Sequence, residues 1–125
     1  MSYSGITVKG LEEETFKDGE NILEHGKVGS KVYVLTSGMI SVISGTTEVF
    51  RTDEEGTILG EISVLLGVPH TATVKAQGDV TVSAIADLDA YFKENPESCT
   101  KVARTLAARV LNMNEHFLRL KEEMT

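Results

Sequence analysis

A chain of 125 residues and 13.6 kDa, 41% hydrophobic and 25% charged, has the composition of one folded domain, which excludes a disordered or collagen-like chain. Its single cysteine, Cys99, excludes a disulfide framework and an all-cysteine metal site. The net charge is -7, and residues 1–96 hold seven basic against 15 acidic groups, so phosphate backbones are repelled and direct nucleic-acid binding is not expected.

All 11 glycines lie between Gly5 and Gly78, and they punctuate short β-like runs. Thr15-Phe16 and Ile22-Leu23 flank the turn Lys17-Asp18-Gly19-Glu20. Val32-Tyr33-Val34-Leu35 is β-branched and aromatic and ends at a turn, Ser37-Gly38. Met39 to Ile43 follows, and Gly45-Thr46 turns it into residues 47–51. After the acidic loop Asp53-Glu54-Glu55-Gly56 come residues 57–59. Two further runs, 71–76 and 80–86, are split by Gly78-Asp79. Seven or eight short strands at this spacing predict a closed or double-sheet antiparallel β structure, which removes exposed edges.

From Asp87 the pattern changes to helix. Asp87-Leu88-Asp89 can cap a short helix through Phe92 or Lys93, Asn95-Pro96 breaks it, and Pro96 suits the first position of the next. No glycine or proline then interrupts the chain to Glu123, a run that would extend ~42 Å at 1.5 Å per residue. Ala103, Leu106, Val110, Met113, Phe117, Leu120 and Met124 alternate in steps of three and four, the spacing of a coiled-coil seam. Val102, Leu111 and Leu118 lie off that stripe and can pack on the β body. Two readings stand: a parallel homodimer seam, or one broad apolar face that covers the body. Arg109, His116 and Glu123 flank the seam without a complementary charge code.

The segment Gly60 to Val74 reads Gly-Glu-Ile-Ser-Val-Leu-Leu-Gly-Val-Pro-His-Thr-Ala-Thr-Val. A strand runs into Gly60-Glu61, residues 62–66 suit one or two helical turns, and Gly67-Val68-Pro69 returns to a strand. Such a junction exposes backbone N–H groups at a helix start, which with the dipole form an anion cradle. Glu61 would repel a phosphate but can accept from a sugar hydroxyl, a coherent pose for a nucleotide. The junction alone also fits a purely structural role.

This stretch resembles the phosphate-binding cassette of the cyclic-nucleotide-binding domain family, whose members include catabolite-activator-type transcription factors, kinase regulatory subunits and gated channels. Lys17-Asp18-Gly19-Glu20, Gly29-Ser30-Lys31-Val32-Tyr33-Val34-Leu35, Ser37-Gly38 and Glu55-Gly56 resemble the family's frame, over residues 12–123. The resemblance implies a mainly β fold with a C-terminal α portion. It would be an antiparallel β-roll (double-stranded β-helix, or jelly roll) with a short cassette helix, a hinge helix from about Asp87 and a long C-terminal helix. The expected organisation is one domain over 1–125, with the roll at about 12–86 and the helices at about 87–123. The implied ligand-binding residues are Gly60, Glu61, Ile62, Ser63, His70, Thr71 and Ala72. Glu61 would hold the ribose 2′-hydroxyl, the amides around Ile62 and Ser63 would face the cyclic phosphate, and Thr71 and Ala72 would complete the cradle. Thr71 also stands where some members contact a guanine.

Two departures go together. The family's phosphate-clamping arginine belongs where His70 stands, and the aspartate that orients it in many relatives is replaced by Ser30. A guanidinium brings a permanent charge and a bidentate fork; histidine is shorter, mostly neutral at pH 7 and monodentate. Losing both partners avoids a stranded charge. His70 then marks a site that no longer binds, a weaker phosphate contact favoured at low pH, or a site for another anion. His25 reads as a solvated turn residue, His116 as surface or seam-flanking, and Cys99 as a packed side chain. The three histidines lack metal-ligand spacing, so no metal is expected.

The expected function is a regulatory module that binds a cyclic nucleotide, cAMP or cGMP, or a related anion, with reduced affinity. The hinge near residues 88–92 repacks, and the C-terminal helix carries the change to a partner, since such a shift needs different affinities for two states. The alternative is a structural or adaptor dimer that keeps the fold without a ligand. An enzyme is not expected, because no nucleophile–base pair or carboxylate pair stands in a plausible setting. Nor is a cofactor. A homodimer through the C-terminal helix is the expected assembly. No run approaches 18 apolar residues and residues 1–10 lack an apolar signal core, so no membrane contact is expected and the cytoplasm is the expected compartment. With the sequence ending at Thr125, the expectation is that no output domain follows, so that output lies in a partner or the module is a stand-alone sensor.

Overall fold

A computed structural model describes residues 6–124 of the chain. The elements in order are β1 (Glu12–Phe16), β2 (Asn21–Leu23), β3 (Val32–Ser44), β4 (Thr47–Thr52), β5 (Ile58–Leu59), α1 (Glu61–Leu66), β6 (Thr73–Ile85), α2 (Leu88–Glu94) and α3 (Pro96–Glu123). All strand pairs are antiparallel. The order is β1-β6-β3-β4, with β2 also on β6 and β5 also on β3. Two 13-residue strands, β3 and β6, thus form the spine on which every other strand pairs.

The glycines at 38 and 78 act differently from the sequence expectation. Neither Ser37-Gly38 nor Gly78-Asp79 ends a strand. Both lie inside continuous ones, and the β3–β6 register shifts between Leu35 and Ser37 and between Ser37 and Met39. An irregularity of this kind bends and twists a strand without ending it. A Cβ at Gly38 would meet the backbone of Asp79 and come within 2.9 Å of Val80 Cα, so the two strands cross too closely for any side chain there. Two predicted strand pairs are therefore two long bent strands.

The bend divides the apolar side chains between two clusters. Leu35 and Ile40 join Ile22, Leu23, Leu59, Val74, Ala76, Val80 and Val82 inside the roll. Val32 and Val34 join Ile58, Ile85, Leu88, Tyr91 and Val102, where the helices cover the sheet. Val64 of α1 and Leu106 of α3 pack on this second cluster. Short cassette helix, hinge and long helix thus share one apolar junction.

Local signals set the helix boundaries as expected. Asp87 Oδ1 accepts from the Ala90 N–H at 3.0 Å and caps α2, and Pro96 opens α3. The Tyr91 hydroxyl donates to the Thr7 carbonyl at 2.8 Å and lies 3.3 Å from Ser98 Oγ, which ties both helices to the N-terminal segment. Val102 is buried, but Leu111 and Leu118 are more than half exposed and do not pack on the body. Only the first half of α3 covers the roll; the body ends before the second half begins. Cys99 is also exposed, and its neighbour Ser98 takes the buried position. Among the described residues, no helix is long and apolar enough to cross a membrane.

Candidate functional site

The strand β5 runs into Gly60, the N-cap of α1, whose φ of 87° is a left-handed conformation that glycine adopts without strain. α1 lasts six residues and stops at Gly67, also left-handed, whose N–H donates to the Ser63 carbonyl at 2.8 Å. The chain then returns through residues 68–72 into β6. Loop 68–72 is fastened to loop 26–30: the Gly26 N–H donates to the His70 carbonyl and the His70 N–H to the Lys27 carbonyl, both at 2.9 Å, and Val28 bridges Pro69.

Ser63 fixes the helix to both loops. Its buried hydroxyl accepts from the Gly29 N–H at 2.9 Å and donates to the Val68 carbonyl at 2.5 Å. A buried hydroxyl with both capacities used is well satisfied. Ser63 is thus a bracket for the cassette, a role apart from any its backbone amide has.

The seven residues singled out in the sequence, Gly60, Glu61, Ile62, Ser63, His70, Thr71 and Ala72, line one cleft of about 110 Å³. Glu61, Ser63 and Gly60 form its inner wall, while Thr71 and Ile62 are exposed at its rim. A second cleft, about 310 Å³, shares Leu23, Gly60, Glu61 and Val74 with the first and continues into the roll along Ile40, Val42, Phe50 and Leu59. The small cleft therefore opens beside a larger and more apolar one, with Glu61 on the boundary.

His70 is half-buried, and burial holds its imidazole below the ordinary value of 6.5. Its neutral form is accordingly favoured. Its ring faces Gly29 and also lines a third cavity with Ser30, Lys27 and Lys31. Both lysines there have carboxylate partners, Glu24 at 2.8 Å and Glu14 at 3.2 Å. His25 and His116 are exposed, and no cluster of His, Cys, Asp and Glu suited to a metal occurs among the described residues.

The sequence reading placed Arg109 beside the seam, whereas the structure places it at the cleft. Its Nη1 donates to Glu61 Oε1 at 3.0 Å, with the two side chains 26% and 6% exposed. The carboxylate expected to face a sugar is engaged by the protein's own guanidinium, so part of the cleft's polar capacity is already in use. Arg109 lies seven residues after Val102 and three after Leu106, on the body-facing side of α3. A cation in register with that stripe was the available signal, although nothing local could name its partner 48 residues away.

Comparison with known proteins sets these features in context. The family model described as the cyclic nucleotide-binding domain matches residues 13–91. An uncharacterized ABC transporter ATP-binding protein of Mycobacterium tuberculosis is 35% identical over 99 residues, which are 76% of this chain and 29% of that protein. A cGMP-dependent protein kinase of Toxoplasma gondii is 30% identical over 113 residues, 90% of this chain and 10% of the kinase. The chain therefore spans under a third of these relatives. The catabolite activator protein of Thermus thermophilus superposes with a TM-score of 0.83 at 20% identity, over 95% of this chain and 62% of that one. With β-roll, cassette helix, hinge and long helix in place and the family model covering most of the roll, the chain belongs to the cyclic nucleotide-binding domain family.

Proposed function

We propose that this chain is a cytoplasmic regulatory module that binds a cyclic nucleotide, cAMP or cGMP, or a related anion, and reports occupancy through α3. The observation that carries the reading is the shared cleft: seven residues from two separate segments meet there, and Glu61 at its edge touches Arg109 of α3. Sugar hydroxyls would be accepted by Glu61, and the phosphate would meet the backbone of residues 61–63 with Thr71 and Ala72. The base would extend into the apolar cleft. Val64 of α1 and the hinge residues Leu88 and Tyr91 pack in one cluster, so a shift of the cassette is felt by α2 and α3. A cavity of about 370 Å³ between Val64, Leu65 and the start of α2 gives the hinge room to repack.

Reduced affinity is the expectation, because a half-buried histidine stands where the family carries a guanidinium. Removing one partner of a buried charged contact costs about 2–5 kcal/mol, on the order of 30- to several-thousand-fold in affinity. Calorimetric titration with cAMP and cGMP at pH 6 and pH 7.5 tests the reading. Saturable binding, tighter at pH 6 because the imidazole gains a proton against phosphate, is the expected result. The double substitution His70→Arg with Ser30→Asp should tighten binding at pH 7.5 by about 30-fold or more. If neither protein binds at millimolar ligand, the regulatory reading fails. The second reading, an adaptor that dimerises without ligand, would then stand on the exposed apolar stripe of α3.

A further inference from the structure

We infer that Phe50 of β4 is the residue that grips the nucleobase: its ring covers one face of the base in the apolar cleft and serves adenine and guanine alike. The inference rests on the proposed ligand-binding reading and goes beyond it by assigning base recognition to a side chain outside the cassette.

The surroundings of Phe50 differ from those of the aromatic rings that hold the body together. Phe16 and Tyr33 pack on the cluster inside the roll and meet edge to face, and Tyr91 and Phe92 belong to the cluster beneath the helices. Phe50 is 47% exposed and belongs to neither cluster. Exposure alone would carry little, since single apolar side chains are common on protein surfaces. Its position decides the matter. Phe50 lines the apolar cleft of about 310 Å³, and among the described residues that do so it is the only one with an aromatic ring.

The backbone of β4 is shaped at this point. The strand lies at the end of the sheet order and pairs with β3. Val42 pairs with Phe50 and Ile43 with Glu48, so Val49 is an extra residue without a partner in the register. A bulge of this kind re-aims the side chains beside it, and bulges recur next to ligand sites. Here Phe50 and its cross-strand partner Val42 both face the cleft.

The same cleft reaches Glu61, on the boundary with the small cleft, so a ligand with its sugar at Glu61 has its base in the space that Phe50 borders. Leu23, Ile40, Leu59 and Val74 offer that base apolar surface and no side-chain hydrogen bonds. The Thr57 hydroxyl donates to the Glu54 carbonyl at 2.6 Å. Thr71, the position linked with guanine, lines the small cleft and not this one. A ring stacked on the base remains as the means of recognition, and it tolerates either purine because each presents a π face.

The test measures cAMP and cGMP affinities by calorimetry for the wild-type chain, Phe50→Ala, Phe50→Leu and Phe50→Trp. Because position 50 is exposed on an edge strand, each variant should melt as the wild type does. Phe50→Ala should weaken both nucleotides by about five- to 150-fold, and by the same factor within about twofold, the loss of one stacked ring. Phe50→Leu, apolar but without a ring, should lose nearly as much, and Phe50→Trp should keep wild-type affinity. The chain has no tryptophan of its own, so the indole introduced by Phe50→Trp reports alone, and saturating cAMP should quench its emission. Wild-type affinity in Phe50→Ala or Phe50→Leu, a loss confined to one base, or an emission unchanged by bound cAMP would overturn the inference while leaving the ligand-binding reading intact. If the alanine unfolds the roll, the indole emission still decides. Failure of the wild-type chain to bind either nucleotide at millimolar concentration would remove the reading beneath the inference, and the inference with it.

Discussion

The His70 ring lies directly over Gly29: a Cβ at position 29 would sit 2.7 Å from both Cε1 and Nε2. The absence of a side chain at 29 is what lets the imidazole turn inward and lose water. The lowered pKa of His70 thus depends on a residue in another loop, fastened to it by the bonds of Gly26 and Lys27.

Gly29→Ala should displace the ring rather than the backbone, since the atoms in conflict are at the free end of the side chain. The cost to stability should stay below about 1 kcal/mol. The imidazole should gain water and its pKa should rise toward 6.5. The sign follows from the direction of the shift. A depressed histidine favours the neutral form in the folded state, so its stabilisation is full above 6.5 and is lost as pH falls through the folded value. Titration of the His70 ring by NMR checks this; a pKa unchanged by the alanine would separate burial of the ring from its contact with Gly29.

Ser63→Ala should cost about 1–3 kcal/mol of unfolding free energy. The alanine leaves the Gly29 N–H and the Val68 carbonyl without the hydroxyl that now joins them. Because these two groups belong to the two loops around the cleft, ligand affinity should fall along with stability. Urea unfolding measures the first effect. A change smaller than about 0.5 kcal/mol, the usual range for a surface substitution, would mean that water replaces the hydroxyl fully.

The parts of this architecture that local chemistry determines could be read directly from the residues. The Asp87 cap, the Pro96 start and the change from glycine-punctuated runs to uninterrupted helix depend on neighbours in sequence, as do the seven cleft residues, which fall in two short stretches of the cassette, 60–63 and 70–72. Gly38 and Gly78 misled because a glycine that permits a bend and one that permits a turn have the same local pattern. Only pairing at long range, such as Ser37 with Thr81 and Met39 with Gln77, shows that the strands continue. Cys99 and Leu111 were assigned to packed positions by helical phase, but phase tells which residues share a face, not how far the body reaches along the helix. Arg109 escaped for a related reason, since its partner Glu61 belongs to a segment that only the fold brings near.

The stripe on the second half of α3 has a direct consequence for assembly. Val110, Met113 and Phe117 are 57%, 70% and 64% exposed, and Leu120 and Met124 extend the same row. A full burial of each such side chain is worth roughly 1.5–3 kcal/mol, enough for a few of them to hold two helices together against the entropy of association. The row repeats every 3.5 residues, so two copies paired along it would form a continuous seam with a left-handed supercoil. Leu106 is a poor probe of this seam because it packs on the apolar junction with Val102, and a charge there would disturb the body as well. Met113→Glu with Phe117→Glu changes only exposed positions. Light scattering should give a dimer mass for the wild-type chain and a monomer mass for the double variant, with unchanged cooperative unfolding of the roll. A wild-type monomer at high micromolar concentration would show that the stripe does not pair with a second copy, and transmission through α3 would then need a different partner.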